Sequence, residues 1–322
     1  MNIEPLPVVR VAQVQAAPIA QRWLIQDLWG DQAVGCIGGT PKSLKTWLAL
    51  ELATAVASGR HALGKFTVHG GVGPVLLYAA EDSAAAIRDR VAGITQARGV
   101  GLDRLPLGLI TIDGLRLDLP LHRDRLSATL AKIRPRLLVL DPLVRLHRGD
   151  ENSSAEISEL LGFLRTQQRE HQVAIMLVHH VRKSAAGQPG QSLRGSGDLH
   201  AWGDSNLYLL RNNGKLVLHA EHRSHPAPPP YTVELTGDPP RVVVQGAVET
   251  DRGDLADRIL ATLAKEPLSR SQLRDRLAVR NETLGAELTR LEADGQVIRA
   301  DGRLAVPVPS LKDRGERNDP PA

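Results

Sequence analysis

The amino-acid sequence predicts an α/β protein with a mostly parallel, doubly wound sheet, antiparallel hairpins after it, and a small second domain. Three observations predict this architecture. Apolar runs alternate with helical patterns up to residue 180, at the spacing that parallel βαβ units require. From Ser205 onward, short apolar runs separated by turns are typical of hairpins that extend a sheet. Three short amphipathic patterns and a hairpin around Asp301-Gly302 then occupy residues 252–306.

Each element rests on a local pattern. The apolar run after the turn at Gly70–Gly73 reads as a buried strand, and Ser83 can cap the helix that follows it. Pro135 ends a helix, because the residue before a proline disfavours the helical conformation. In the first part of the chain the predicted strands are 33–37, 74–80, 107–112, 136–141 and 173–178, and the predicted helices are 83–98, 121–134 and 153–171. Later in the chain the predicted strands are 207–210, 216–219, 231–235 and 241–244, and the predicted helices are 255–263, 271–277 and 282–291.

The chain divides into four segments. Residues 1–21 contain three prolines and no period, and are expected to be an arm; residues 22–246 hold the α/β pattern. After a polar break, residues 252–306 show three helices and a hairpin, the order of a winged helix-turn-helix. The polar tail at residues 307–322 is expected to be disordered.

Composition limits the classes of protein to consider. The 322 residues are 42% hydrophobic, enough for one large α/β domain and a small second one. The net charge of +4 is compatible with a polyanionic partner but does not indicate one. Cys36 is the only cysteine, which excludes an intrachain disulfide, and its apolar strand predicts a buried thiol. Since there is no signal-peptide pattern and no apolar run of about 18 residues, we expect a cytoplasmic protein without membrane contact.

A phosphate-binding loop is predicted between the first long apolar run and the helix after it. Strand, glycine-started loop and helix follow one another there, so that loop N–H groups and the helix dipole face an anion. Lys45 would reach the β- and γ-phosphates, and the Thr46 hydroxyl would bind Mg²⁺. The alternative is a strand–turn–helix that contains Lys-Thr by chance. The candidate nucleotide-binding residues are Gly39, Thr40, Pro41, Lys42, Ser43, Leu44, Lys45, Thr46 and Trp47.

Leu44 departs from the pattern G-x-x-x-x-G-K-[ST], in which its position belongs to the second glycine. A leucine has a Cβ and disfavours positive φ. We therefore expect the loop to turn differently here, or to hold Leu44 in an ordinary helical conformation.

Acidic residues follow two of the predicted strands. Asp141 ends the strand at 136–141, where a nucleotide hydrolase holds Mg²⁺ through water. Glu81 ends the strand at 74–80 and would activate the attacking water, provided that its strand neighbours the phosphate-loop strand. Asp82 competes for that role, although an acid at a helix N-terminus is also favoured by the dipole alone.

Histidines and a basic loop end the α/β pattern. His179 and His180 would sense the γ-phosphate, or are simply a polar pair at the end of a strand. The basic, glycine-rich loop that follows would contact the phosphates of a single strand, or is a flexible surface loop; its candidate contacts are Arg182, Lys183 and Arg194.

Arg223 is a candidate arginine finger for the nucleotide of a neighbouring subunit. Arg211 and Arg194 compete for this role, and an ordinary solvated arginine is the alternative. In the second domain, arginines at 270–280 are balanced by acids in and around its last helix, so a winged helix that binds DNA and one that docks a protein both stay open.

Four motifs occur in a fixed order: Gly39–Trp47, Tyr78–Asp82, Leu138–Leu143 and Val178–His180. This ordered set resembles the RepA-like AAA-class ATPases with a RecA-type core, a family that includes hexameric replicative helicases of broad-host-range plasmids. The resemblance covers roughly residues 23–244. It implies a RecA-like core, ATP and Mg²⁺ as cofactors, ring assembly, and single-stranded DNA as the track.

The resemblance also assigns roles. It implies Lys45 and Thr46 as phosphate and Mg²⁺ ligands, Asp141 as the second Mg²⁺ acid, and Glu81 as general base, with His179 and His180 as sensor. Leu44 departs from the family at the loop, which affects the expected turnover more than nucleotide binding. The winged helix lies outside the RepA core.

The leading hypothesis is an ATP-hydrolysing motor that moves on single-stranded DNA, as a plasmid or mobile-element helicase. We expect it to assemble as a ring, a hexamer, with the nucleotide bound between subunits. A second is an ATP-gated regulatory protein whose winged helix binds duplex DNA or a replication protein. A third is a RecA-like recombination or repair accessory that forms filaments.

Overall fold

The computed structural model describes residues 5–14, 22–148, 154–180, 197–212, 214–247, 252–277, 279, 281–300 and 302–307. The chain separates into two compact units, Met1–Val248 and Glu249–Ala322. Arg182, Lys183 and Arg194 lie outside the described residues, as do most of the predicted tail and half of the predicted arm.

The first unit alternates strands and helices and then continues with strands alone. Its elements are β1 (Trp23–Ile25), β2 (Trp29–Gly30), β3 (Val34–Gly39), α1 (Lys45–Ser58), β4 (Val75–Ala79), α2 (Ala84–Ala97), β5 (Leu107–Leu109), α3 (Pro120–Ile133), β6 (Leu137–Asp141), α4 (Ser154–His171), β7 (Ala174–His180), α5 (Gly197–Trp202), β8 (Ser205–Asn212), β9 (Lys215–His222), β10 (Tyr231–Thr236) and β11 (Arg241–Ala247).

Within the described residues, nine strands form one sheet in the order β11-β10-β9-β8-β3-β7-β6-β4-β5. The six strands from β8 to β5 run parallel, and β9, β10 and β11 add antiparallel hairpins. One hydrophobic cluster lies under α1 and α2, and a second lies under α3 and α4 on the other face. This arrangement confirms the predicted α/β class, with a mostly parallel sheet and antiparallel hairpins after it.

Local sequence explains where the helices begin and end. The Ser83 hydroxyl caps α2 by accepting a 3.2 Å hydrogen bond from the Ala86 N–H. The α3 helix begins at Pro120 and ends where Arg134 turns left-handed at φ 50°, one residue before Pro135. Helix α1 is apolar around most of its circumference and buried, as a helix covered on both sides must be.

Some elements differ from the expectations. The strand expected at 107–112 ends at Leu109, since the following residues turn away toward Gly114. The short strands β1 and β2 and the six-residue α5 were not predicted, because elements of this length show too few residues for a period to be recognised.

The second unit has its own hydrophobic core. It contains α6 (Arg252–Leu263), α7 (Arg270–Leu277), α8 (Asn281–Ala293), β12 (Ile298–Ala300) and β13 (Arg303–Ala305). The two strands pair as an antiparallel hairpin, and the helices bury leucines such as Leu273, Leu284 and Leu288. Three helices and a hairpin are thus present, and the winged helix-turn-helix interpretation stays a prediction. Across the described parts of both units, no helix has the length and apolar character needed to cross a membrane.

Candidate functional site

The predicted phosphate loop connects the end of β3 to the start of α1. Its first residue must be small, because a Cβ on Gly39 would lie 2.5 Å from the Ser43 Oγ and 2.8 Å from the Leu209 carbonyl oxygen. Pro41 and Lys42 are exposed, whereas Ser43 is buried. Ser43 Oγ has no hydrogen-bond partner within the described residues, so the loop encloses a polar atom that the protein leaves unpaired.

Leu44 adopts a left-handed conformation, which glycine takes more readily than leucine. Its φ of 62° and ψ of 22° are left-handed, so the expectation of a helical Leu44 or a differently turned loop is wrong. This conformation costs about 1–2 kcal/mol for a residue with a Cβ. Packing of the Leu44 side chain against the core of the first unit offsets part of that cost, and its carbonyl accepts the Leu48 N–H at 2.8 Å to start α1.

Lys45 is buried inside the loop, with 5% of its surface exposed. Its Nζ donates a 2.8 Å hydrogen bond to the Thr40 carbonyl oxygen. Burial lowers the pKa of Lys45, while the carboxylates of Asp141 and Glu81 oppose that shift. A buried ammonium without a salt bridge among the described residues favours an added anion.

Thr46, in the first turn of α1, lies near Asp141, the last residue of β6. Thr46 is close enough to Asp141 to affect the pKa of its carboxyl group, and Asp141 is buried. Burial raises the pKa of Asp141 to about 6, with Asp82 and Glu81 adding to the shift and Thr46 and Lys45 opposing it.

Thr46 and Asp141 are suitable ligands for an Mg²⁺ ion that is bound together with phosphate groups. One hydroxyl and one carboxylate suffice there, because nucleotide oxygens and water supply the remaining ligands. No group of three His, Cys, Asp or Glu side chains suited to a metal occurs in the described ranges. The unpaired Ser43 Oγ and the buried Lys45 Nζ complete a donor set suited to a nucleotide.

Glu81 lies at the same edge of the sheet but not beside the phosphate loop. Strands β7 and β6 separate β4 from β3, so the condition that the two strands are neighbours is not met. Glu81 nevertheless influences Lys45 and Asp141 electrostatically. Its side chain is half exposed, and its Oε1 lies 3.0 Å from the Nε of Arg145.

Asp82, the competitor of Glu81, is held by another arginine. The Arg90 guanidinium donates to both Asp82 oxygens at 2.8 Å and 3.0 Å and lies 5.5 Å from the ring of Trp47. Two bonds hold Asp82, whereas Glu81 makes one contact with Arg145 and is the more exposed of the two, so Glu81 is the acid better placed to act on a ligand.

His179 and His180 lie beside the start of the loop, because they pair in register with Gly38 and Gly39. His179 is buried and His180 is exposed. Burial, together with the nearby His180, Lys45 and His147, lowers the pKa of His179 to about 4, so its imidazole is neutral at pH 7. The structure therefore brings Lys45, Thr46, Asp141, Glu81 and His179 to one edge.

Arg223 lies at the opposite edge of the sheet. Ser205, at the start of β8, pairs with His222, so Arg223 follows β9 away from the phosphate loop. Its guanidinium donates to the Ala201 carbonyl and lies 3.6 Å from Asp204. Arg211 instead extends β8 two residues beyond Leu209, which pairs with Gly39, and is exposed at the phosphate-loop edge. A role of Arg223 in a neighbouring subunit's site stays a prediction.

Three residues near the site had no place in the sequence interpretation. Arg145 binds Glu81, Arg116 donates to the carbonyls of Arg145 and His147, and His147 is buried with neither ring nitrogen hydrogen-bonded among the described residues. Arg145 could have been selected from the sequence, because it is a basic residue four positions after Asp141. Arg116 and His147 could not, because only tertiary contacts bring them near the site.

The arginines of the second unit are largely engaged within it. Arg274 contacts Asp275, Arg276 contacts Glu266 and Arg290 contacts Glu287. The first two pairs are exposed and contribute little stability, whereas Glu287 is buried. All three pairs reduce the positive potential that a nucleic acid would meet.

Comparison with known proteins gives a family and a structural relative. A family model described as AAA domain matches residues 2–186, more than half of the chain. A solved structure titled "Crystal structure of the RadB recombinase" is 19% identical, covers 64% of this chain and 88% of its own, and superposes with a TM-score of 0.47.

Proposed function

From the premise that the chain belongs to the AAA domain family, a family of ATPases, we propose that it binds ATP with Mg²⁺ and hydrolyses it. The observation that carries this proposal is the meeting of Lys45, Thr46 and Asp141 at the carboxyl edge of the sheet, with Glu81 at the same edge. Lysine, hydroxyl and carboxylate in this arrangement are the parts that phosphoryl transfer requires.

Each group has a separate task in this proposal. Lys45 exchanges its bond to the Thr40 carbonyl for the β- and γ-phosphates, and the N–H groups at the start of α1 face the same phosphates. Thr46 and Asp141 hold Mg²⁺, which when bound neutralises charge on the phosphate oxygens. Glu81 accepts a proton from the attacking water, and neutral His179 donates a hydrogen bond toward the γ-phosphate or its water.

We further propose that hydrolysis drives movement along single-stranded DNA in a ring, as in the RepA-like helicases that the sequence resembles. The ordered motifs at 39–47, 78–82, 138–143 and 178–180 support this reading. In such a ring Arg211 is a better candidate finger than Arg223, because it lies at the nucleotide edge of the sheet. Arg182, Lys183 and Arg194 are the proposed DNA contacts.

A second candidate function is an ATP-gated DNA-binding or recombination accessory protein. The observation that favours it is the separate core of the second unit, which can act as a binding module by itself. Duplex binding by residues 251–306, or filaments instead of rings in electron micrographs with ATP, would favour this function.

The test is steady-state ATP hydrolysis with and without single-stranded DNA, in the wild type, Lys45→Ala and Glu81→Gln. We expect DNA to stimulate the wild type, Lys45→Ala to lose nucleotide affinity, and Glu81→Gln to bind ATP but not hydrolyse it. Arg223→Ala and Arg211→Ala, run in parallel, compare the two finger candidates. ATP binding without DNA-stimulated hydrolysis or unwinding in the wild type would contradict the motor and favour the switch.

A further inference from the structure

A pocket of about 420 Å³ lies beside Glu81. Its lining residues are Tyr78, Ala80, Glu81, Gly114, Arg116 and Arg145. Two guanidinium groups and one carboxylate therefore face one space, which leaves a net positive charge. A pocket of this charge and size suits an anion.

Hydrogen bonds to the backbone fix the wall of the pocket that contains Arg116 and Tyr78, whereas the wall formed by Arg145 and Glu81 can rearrange. Arg116 donates to the backbone carbonyls of Arg145 and His147, and the Tyr78 hydroxyl accepts the Leu115 N–H at 2.9 Å. Arg145 and Glu81 form a pair whose side chains are 56% and 47% exposed, and exposed pairs of this kind are weak. The ion pair is thus the part of this pocket that a ligand can open.

We propose that this pocket binds a phosphate group as an effector, and that the anion draws Arg145 away from Glu81 and releases Glu81 for catalysis. Arginine suits the role because its planar fork binds phosphate and carboxylate oxygens in the same way, so the two anions compete for one guanidinium. Arg116 supplies the second cation. The shared chemistry is a phosphate group, carried either by a nucleic-acid strand or by a free oxyanion.

This proposal rests on the proposed function, since it requires Glu81 to act in hydrolysis. Arg145 is a positioning residue in it: while paired, it holds the Glu81 carboxylate by a 3.0 Å contact and keeps it from a catalytic position. Binding of an anion to Arg145 removes this restraint, and the turnover number should rise while the affinity for ATP stays the same.

The experiment measures kcat and KM for ATP at saturating Mg²⁺, against sulfate and, separately, against a single-stranded oligothymidylate. We expect sulfate to raise the wild-type kcat about two- to five-fold, the factor that the loss of a half-exposed ion pair corresponds to. Arg145→Gln should show the raised kcat without sulfate and no response to it, and Arg116→Gln should need more sulfate. Arg148→Gln, an exposed neighbour that borders a different pocket, is the matched control and should behave as the wild type.

The sulfate and oligothymidylate measurements together distinguish the two possible sources of the phosphate group. Loss of the oligothymidylate response together with the sulfate response in Arg145→Gln identifies a strand as the effector, and loss of the sulfate response alone identifies a free oxyanion. An unchanged or lower basal kcat in Arg145→Gln, or a sulfate response that survives it, overturns the proposal. A rise in KM alone marks competition at the phosphate loop and also overturns it. Hydrolysis that survives Glu81→Gln contradicts the proposed base. Loss of hydrolysis in Glu81→Gln, beside an Arg145→Gln variant that still responds to sulfate, contradicts the effector pocket only.

Discussion

The two edges of the central sheet hold similar residue types but use them differently. At the phosphate-loop edge, Lys45 is buried against a carbonyl, the pKa of Asp141 is raised to about 6, and Ser43 Oγ has no partner in the described ranges. At the opposite edge, Arg165 donates to both Asp204 oxygens, and the His222 ring contacts Ser205 Oγ and the Asp27 carbonyl.

The difference lies in whether buried polar groups find partners within the protein. Partnered groups stabilise one structure, whereas groups that are buried and incompletely paired destabilise the free protein and favour a ligand that completes them. The phosphate-loop edge is therefore the candidate site, and the opposite edge is interpreted as a structural cluster. Substitutions at each edge should separate the two roles.

The largest effect is expected from Lys45→Ala. Removal of the ammonium should lower kcat/KM for ATP about 10²- to 10³-fold, since one preorganised cation at developing charge contributes that factor. Stability should fall little, because Lys45 is buried against one carbonyl only. Hydrolysis and the unfolding midpoint are measured together, with Lys132→Ala, an exposed lysine of α3, as control. Equal losses of activity in both variants would contradict the difference between the edges.

At the opposite edge, Asp204→Ala should lower the free energy of unfolding by about 2–3 kcal/mol and leave ATP affinity unchanged. The substitution leaves Arg165 with the Trp202 carbonyl but without its carboxylate partner, and it removes the acceptor of the Val34 N–H. Denaturant unfolding followed by tryptophan fluorescence reports on the first unit alone, since Trp23, Trp29, Trp47 and Trp202 all lie in it. Asp204→Asn, which keeps the shape, should lose less. A selective loss of ATP binding would place a ligand site at this edge.

The pH dependence of stability should reveal the buried His179. Its pKa is lowered from 6.5 to about 4, so the unfolded chain takes up a proton that the folded protein resists. The stability linked to His179 is complete above about pH 6.5 and is lost as pH falls toward 4, by about 2 kcal/mol at pH 5. His179→Asn should flatten the curve between pH 7 and pH 5 by that amount. The exposed His61→Asn serves as control, and a slope that His179→Asn leaves unchanged would contradict the buried neutral imidazole.

The smallest effect is expected from Leu44→Gly. Glycine relieves the left-handed strain at φ 62° but gives up the packing of Leu44 and increases the freedom of the unfolded chain. These terms have opposite signs, so the free energy of unfolding should change by less than about 1 kcal/mol. Hydrolysis by this variant then measures whether a leucine at this position limits turnover, and Leu44→Ala separates packing from strain.

The order of motifs along the chain was sufficient to predict the α/β class and to select residues that meet at one edge. Parallel strands carry their carboxyl ends to the same side, so Lys45, Asp141 and His179 could be placed together without coordinates. Strand order could not be predicted in this way, and it separated Glu81 from the loop by two strands. The pairing of Glu81 with Arg145 depends on that order.

The direction of the late hairpin strands explains why the sequence alone could not decide between Arg211 and Arg223 as the arginine finger. Arg211 and Arg223 lie in similar surroundings in the sequence, but antiparallel pairing sends them to opposite edges. The left-handed Leu44 was also beyond a local rule, since propensity disfavours it and only packing of the whole unit maintains it. Arg182, Lys183 and Arg194 lie outside the described residues, and their proposed role rests on sequence alone.

Gly35, the second residue of β3, shows how the results of a substitution scan could be misinterpreted. A Cβ at that position would lie 1.7 Å from the Ser205 carbonyl oxygen, closer than any pair of atoms can pack. Every other amino acid would force β3 away from β8, and with it the strand that carries the phosphate loop. Substitutions at position 35 should therefore abolish activity as completely as substitutions of ligand-binding residues. A scan that measures activity alone would assign Gly35 to the active site, and a parallel measurement of stability would show that its role is structural.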